Sequence, residues 1–244
     1  MSEHPSRLVL FDIDGTLLSS AGVATETFGR CLAEVSGRPI STQGYSMAGK
    51  TDPQIVRELL LRGGCAPEEI AELSGEVLRL YLERFGPALM ASPRPRLFPG
   101  VRELLGELVA APEVLLGLLT GNVEQGARLK LDRFGLRDHF RLGAYGSDSA
   151  DRRALVPIAV ERAHRISGRR FAGEEVVVIG DTPLDIDCGR AWGATTIAVA
   201  TGPFSLAELE SHAPHALFAD FTAVASVRRA ILGQLEPKAE RREA

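Results

Sequence analysis

Apolar residues along this chain fall into two rhythms. Short unbroken runs occur at Leu8–Phe11, Val114–Leu119 and Val176–Ile179, with a fourth run, Thr195–Val199, led by two threonines. Runs of this length without alternation read as strands buried on both faces, the signature of a parallel sheet. A weaker strand is expected at Leu142–Tyr145. Between these runs the apolar spacing lengthens to i, i+3, i+4, as in Val101, Leu104, Leu105 and Leu108 behind Pro99-Gly100. Further helices are expected up to Phe134-Gly135, from about Arg152 to Ile166, and up to Trp192, whose ring is expected in the core. Strands and helices alternating in this way specify an α/β fold, a doubly wound parallel sheet.

Residues 19–97 break that alternation and carry helical periodicity only. Phe28, Cys31, Leu32 and Val35 share one helix face that Gly37-Arg38-Pro39 ends. Asp52-Pro53 opens a second helix with Ile55, Val56, Leu59 and Leu60 inward. Pro67-Glu68-Glu69 opens a third, longer one carrying Val77, Leu80, Tyr81 and Phe85. The expected organisation is a Rossmann-like core made of residues 1–18 and 98–244, with residues 19–97 inserted as an all-helical unit. The charged tail after Pro237 is expected to fray.

Composition narrows the classes rather than naming one. With 244 residues, 45% hydrophobic and 25% charged, the chain has ample material for a core. A net charge of −4 gives no basic face for nucleic acid. No stretch reaches the length of a membrane span. The three cysteines are odd in number and widely spaced, which suits reduced thiols; with no signal-peptide pattern at the start, a cytoplasmic protein is expected.

Candidate chemistry sits where the strands end. Asp12 and Asp14 close the first run, Thr120 and Asn122 the second, Asp181 and Asp185 the third. In a parallel sheet these ends share one edge, where open α/β folds bind ligands. Asp12 and Asp14 alternate along an extended backbone, so both point the same way while Ile13 turns into the core. Two carboxylates about 4 Å apart repel by about 4 kcal/mol at an effective dielectric near 20, which calls for a cation or a proton. Clustered carboxylates with oxygen donors suit a hard divalent ion such as Mg²⁺. Each fragment alone has a plainer explanation: an Asx turn for Asp-x-Asp-Gly, a helix N-cap for Thr120-Gly121-Asn122. Neither a Gly-x-x-x-x-Gly-Lys-Ser/Thr loop nor a Gly-x-Gly-x-x-Gly turn is present.

Together, Asp12-x-Asp14-Gly15-Thr16-Leu17, Thr120-Gly121-Asn122 and Gly180-Asp181-Thr182-Pro183-x-Asp185 resemble motifs one, two and four of the haloacid dehalogenase-like hydrolase superfamily. Ala48-Gly49-Lys50-Thr51-Asp52 resembles the cap loop of its phosphoglycolate phosphatase-type branch. The resemblance implies a Mg²⁺-dependent phosphatase for a small phosphorylated metabolite. Asp12 would be the nucleophile and Asp14 the acid and base. Asp12, Asp181 and the Asp14 carbonyl would hold the metal, with Asp185 supporting it. Thr120, Gly121 and Asn122 would hold the phosphoryl group, and Lys50 and Thr51 would reach the substrate from the cap, unless they are simply a polar loop tip. Motif three departs from the family's usual Lys followed by prolines; in Ser149–Ala154, Arg152 is preferred over Arg153 for that charge. The same residues would serve a sugar-phosphate mutase. A metal-free dehalogenase has no need of Asp14, Asp181 and Asp185, and a phosphoacceptor signalling domain has no need of the helical insert.

Overall fold

A computed structural model describes residues 5–234, so the tail after Pro237 lies outside the described residues. The first strand, β1 (Arg7–Phe11), leads through the Asp12–Leu17 loop into a two-residue strand, β2 (Leu18–Ser19). Three helices follow: α1 (Val23–Ser36), α2 (Asp52–Arg62) and α3 (Ile70–Ala91). The chain returns through β3 (Arg96–Leu97), which pairs antiparallel with β2. Then come α4 (Val101–Val109), β4 (Val114–Thr120), α5 (Glu124–Asp132), β5 (Leu142–Tyr145) and α6 (Leu155–Ser167). The remainder is β6 (Val176–Gly180), α7 (Pro183–Ala191), β7 (Thr195–Val199), α8 (Leu206–Ser211), β8 (Ala216–Phe218) and α9 (Val224–Ile231).

Six strands form one parallel sheet in the order β5-β4-β1-β6-β7-β8. The doubly wound fold expected from the periodicity is therefore present. β1 lies at the centre, and the chain builds outward through β4 and β5 before returning to β6 on its other side. That reversal opens the crevice in which such sheets bind ligands.

Strand residues alternate between two cores. Val9, Phe11, Leu116, Leu118, Val177 and Ile179 pack with α4, α5 and α9 on one face. Leu8, Leu10, Leu115, Leu119, Val176 and Val178 pack with α6 and α7 on the other. A strand buried on both sides needs apolar residues at every position, which is why its pattern does not alternate. Helices α1–α3 share a separate apolar cluster, with Tyr81 stacked between Phe28 and Phe85 at ring-centroid distances of 3.8 and 5.0 Å.

Three features depart from the expected pattern. Trp192 caps the end of α7 and is 39% exposed rather than in the core, because the helix stops before its ring can turn inward. The β2–β3 ribbon is too short to leave a periodic signal. So are α8 and β8, of six and three residues. The three cysteines are free and buried, as expected.

Tyr81 has a buried hydroxyl with no hydrogen-bond partner among the described residues. An unpaired buried hydroxyl costs about 1–3 kcal/mol. Tyr81→Phe is therefore expected to hold or raise Tm, whereas Phe85→Ala, which empties the same stack, is expected to lose about 3–5 kcal/mol in denaturant titration.

Candidate active site

Register sets the site. Phe11 pairs with Leu118 on one side and Ile179 on the other, and the Asp12 amide donates to the Ile179 carbonyl at 2.9 Å. Asp12 thus leaves the sheet one residue ahead of Thr120 and Asp181. The next residue, Ile13, is buried, and the amides of Leu17 and Leu18 donate to its carbonyl, closing the turn. Gly15 takes φ +81°, which glycine adopts freely, and a Cβ there would overlap the Asp181 carboxylate. Thr16 donates its hydroxyl to Asp181 Oδ1 at 2.9 Å.

Asp12, Asp181 and Asp185 are buried and each brings a carboxylate oxygen within 4.8 Å of the others. Asp185 is fixed by the start of α7: Thr182 donates to its Oδ2 from both the hydroxyl, at 2.7 Å, and the amide, at 3.1 Å. Arg152 enters from the 3₁₀ turn before α6, meeting Asp185 Oδ1 at 2.5 Å and Asp12 Oδ1 at 3.3 Å. Arg153 points to solvent, so of the two arginines Arg152 is the one in the crevice.

One guanidinium among three carboxylates leaves the cluster short of positive charge. Burial raises the Asp12 pKa to about 6; Arg152 opposes this, and the charges of Asp185 and Asp14 add to it. Burial, then the Asp185 and Asp12 charges, hold Asp181 well above the ordinary carboxylate range, against the pull of Thr16. A buried group of three carboxylates whose oxygens converge, each fixed by a strand end or a helix cap, fits a hard divalent ion. Arg152 Nε, also buried, has no hydrogen-bond partner among the described residues.

The second strand end forms a different cluster. Thr120 Oγ1 accepts from the Asn122 side-chain amide at 2.8 Å and from its main-chain amide at 3.3 Å. Asn122 also donates to Asp14 Oδ2 at 2.8 Å, and its own carbonyl oxygen accepts from Lys130 Nζ at 2.5 Å. Lys130 donates to Asp14 Oδ2 at 2.6 Å as well. Asn122 therefore spends its side chain on Asp14, Thr120 and Lys130. Lys130 was not singled out in the sequence. Its signal was a lysine on the apolar face of α5, in register with Ala127 and Leu131.

From the insert, residues 49–52 dock onto the same loops. The Asp52 amide donates to the Gly121 carbonyl at 2.7 Å, and the Asp52 carboxylate accepts from the Val123 amide at 2.9 Å. A Cβ on Gly121 would overlap the Lys50 carbonyl, so glycine permits the approach. Thr51 caps α2 and donates its hydroxyl to the Ala150 carbonyl at 2.9 Å. Lys50 lines the cavity but is held by Glu58 at 2.6 Å and Tyr45 at 3.2 Å. Arg152 also donates to the Gly49 carbonyl, at 3.3 Å. Between insert and sheet edge lies a cavity of about 240 Å³, lined by Asp12, Asp14, Thr120 and Arg152 below and by Phe28, Met47 and Ile55 above.

Burial pushes the Asp52 carboxyl up to about 6, with Lys130 and the Val123 amide only partly offsetting it. A carboxyl raised on folding favours the folded state fully below its unfolded pKa, and that contribution is lost as pH rises through the folded value. Tm of Asp52→Asn minus that of wild type is thus expected to grow between about pH 4 and pH 7, by an amount worth at most about 3 kcal/mol. Thermal melts of both proteins across this range check it; parallel curves would contradict it.

Known proteins resemble this chain in sequence and in fold. The sequence signature described as haloacid dehalogenase-like hydrolase matches residues 9–199. A phosphoglycolate phosphatase from Rhodospirillum rubrum is 26% identical over 221 residues, covering 89% of each chain. The tyrosine-protein kinase PtkA of Mycobacterium tuberculosis is 30% identical over 196 residues, 80% of this chain but only 62% of that protein. The crystal structure of a predicted phosphatase from Clostridium acetobutylicum superposes with a TM-score of 0.70 at 18% identity, covering 95% of this chain and 100% of that one. With a signature that spans all three strand ends and the insert between them, this chain belongs to the haloacid dehalogenase-like hydrolase family.

Proposed function

We propose that the protein is a Mg²⁺-dependent phosphatase that hydrolyses a small phosphomonoester through an aspartyl-phosphate on Asp12. The observation that carries this reading is the buried set Asp12, Asp181 and Asp185 around Arg152 at the sheet's switch point. The relatives named phosphoglycolate phosphatase support the substrate class. A divalent cation held by Asp12, Asp181 and the Asp14 carbonyl, with Asp185 behind them, would let an anionic carboxylate approach a phosphate dianion.

In the first step an Asp12 oxygen bonds to phosphorus as the bond to the leaving oxygen breaks. Asp14 gives its proton to that oxygen. In the second, Asp14 takes a proton from water, the water oxygen bonds to phosphorus, and the bond to Asp12 breaks, releasing phosphate. Thr120, whose oxygen already accepts from Asn122, can turn its hydroxyl hydrogen to a phosphoryl oxygen. Arg152, which lines the cavity, offers its positive charge to another. Residues 19–97 act as a cap, opening for exchange and closing to exclude water. The cavity of about 240 Å³ limits the leaving group to a small one.

Phosphate release from a panel of small esters, with Mg²⁺ and with chelator, tests the reading. Asp12→Asn is expected to lose about 10³-fold or more in kcat, and chelation to abolish turnover. Arg153→Ala should stay within about twofold of wild type, as expected for a solvated side chain. Undiminished turnover by Asp12→Asn, or in chelator, would overturn the proposal.

A further inference from the structure

Lys130 is 3% exposed, and a buried ammonium is tolerated only where its donors are satisfied. Two of them go to one place: Nζ donates to Asp14 Oδ2 at 2.6 Å and to the Asn122 carbonyl oxygen at 2.5 Å. Asn122 in turn donates to that same Asp14 oxygen at 2.8 Å. On its remaining side Nζ lies 5.5 Å from the centre of the Phe85 ring, a residue of the inserted helices. The Asp14 side chain itself is 40% exposed and lines the cavity. Left alone, a carboxylate so placed would rotate. Here one oxygen is gripped by two donors on a rigid helix and strand end, and among the described residues Oδ1 has no hydrogen-bond partner.

Resting on the reading of Asp14 as proton donor and acceptor, we propose that Lys130 is the positioning residue for Asp14. It fixes Oδ2 so that Oδ1 carries the proton to and from the cavity. Lys130 borders the cavity, but its amine is committed to Asp14 and Asn122, and in this role it acts through the direction of the Asp14 carboxyl. A proton donor within hydrogen-bond reach contributes about 10²–10⁴-fold to a transfer that needs it. An ester whose leaving group departs as a stable anion needs no proton at all, so the loss of Lys130 must discriminate between leaving groups.

The test compares kcat/KM, which reports the steps up to departure of the leaving group, for phosphoglycolate and p-nitrophenyl phosphate with the Mg²⁺-loaded enzyme. Lys130→Met is expected to lose about 100-fold with the alkyl ester and less than about fivefold with the nitrophenyl ester. Lys130→Arg, which keeps a charge in the same pocket but splays its donors, should show the same asymmetry at smaller amplitude and serves if Lys130→Met does not fold. Equal losses on both esters, in whichever variant folds, would overturn the positioning role while leaving the phosphatase reading intact. A gain with the alkyl ester would also overturn it, since Lys130 would then hold Asp14 out of position. Wild-type protein inert toward every phosphate ester would remove the phosphatase reading, and this inference with it.

Discussion

Three buried carboxylates facing one guanidinium impose the central constraint on this molecule. Arg152 answers the charge of Asp185 directly and that of Asp12 at longer range, whereas among the described residues Asp181 takes its side-chain hydrogen bond from the Thr16 hydroxyl. Water could relieve such repulsion, yet burial denies it. The cluster persists because each carboxylate is fixed by something stiffer than itself: the end of β1, the end of β6, and the Thr182 cap of α7. Strand register, the tight turn at Gly15 and the entry of α7 together hold that unfavourable set of charges in place. The raised pKa values of Asp12 and Asp181 come first from that burial and then from the neighbouring carboxylates.

A second cluster, just across the cavity, sets one ammonium against two carboxylates. Lys130 faces Asp14 and lies near Asp52, with Asn122 linking it to Thr120. Under the proposed mechanism the two clusters would divide the work of phosphoryl transfer, the first receiving the phosphoryl group beside a cation and the second directing a proton. Asp52 belongs to the insert, so part of this second cluster arrives only with the helices above it, while Arg152 reaches the Gly49 carbonyl from below.

Much of this was legible in the chain. Unbroken apolar runs marked the central strands, since a buried parallel strand admits no polar alternation, and the helices between them followed from their spacing. The acids that meet in the crevice were visible because each closes such a run, so topology alone brings them together. What stayed hidden gave at most a faint signal: Lys130 lies in the last turn of α5 on its apolar face, and only the fold reveals that its amine reaches Asn122 beyond β4 and Asp14 in the loop after β1. Asp52 reads as an ordinary helix start until its carboxylate is seen on the Val123 amide. Asn122 and Thr51 were read as reaching toward a ligand. In the structure the Asn122 side chain is spent on Asp14, Thr120 and Lys130, and Thr51 is spent capping α2 and bonding Ala150, demands that depend on neighbours remote in sequence. Lys50 does line the cavity, but with its amine tied to Glu58 and Tyr45.

The β2–β3 ribbon has a topological consequence. Both crossings between sheet and insert run side by side through two residues each, Leu18 paired with Leu97 and Ser19 with Arg96. Entry and exit of a whole helical segment are therefore stitched together at a single point, and the sheet closes beneath it irrespective of what the segment contains. Changes within the segment can thus leave the sheet's closure untouched so long as residues 49–52, which dock onto the strand-end loops, keep their contacts.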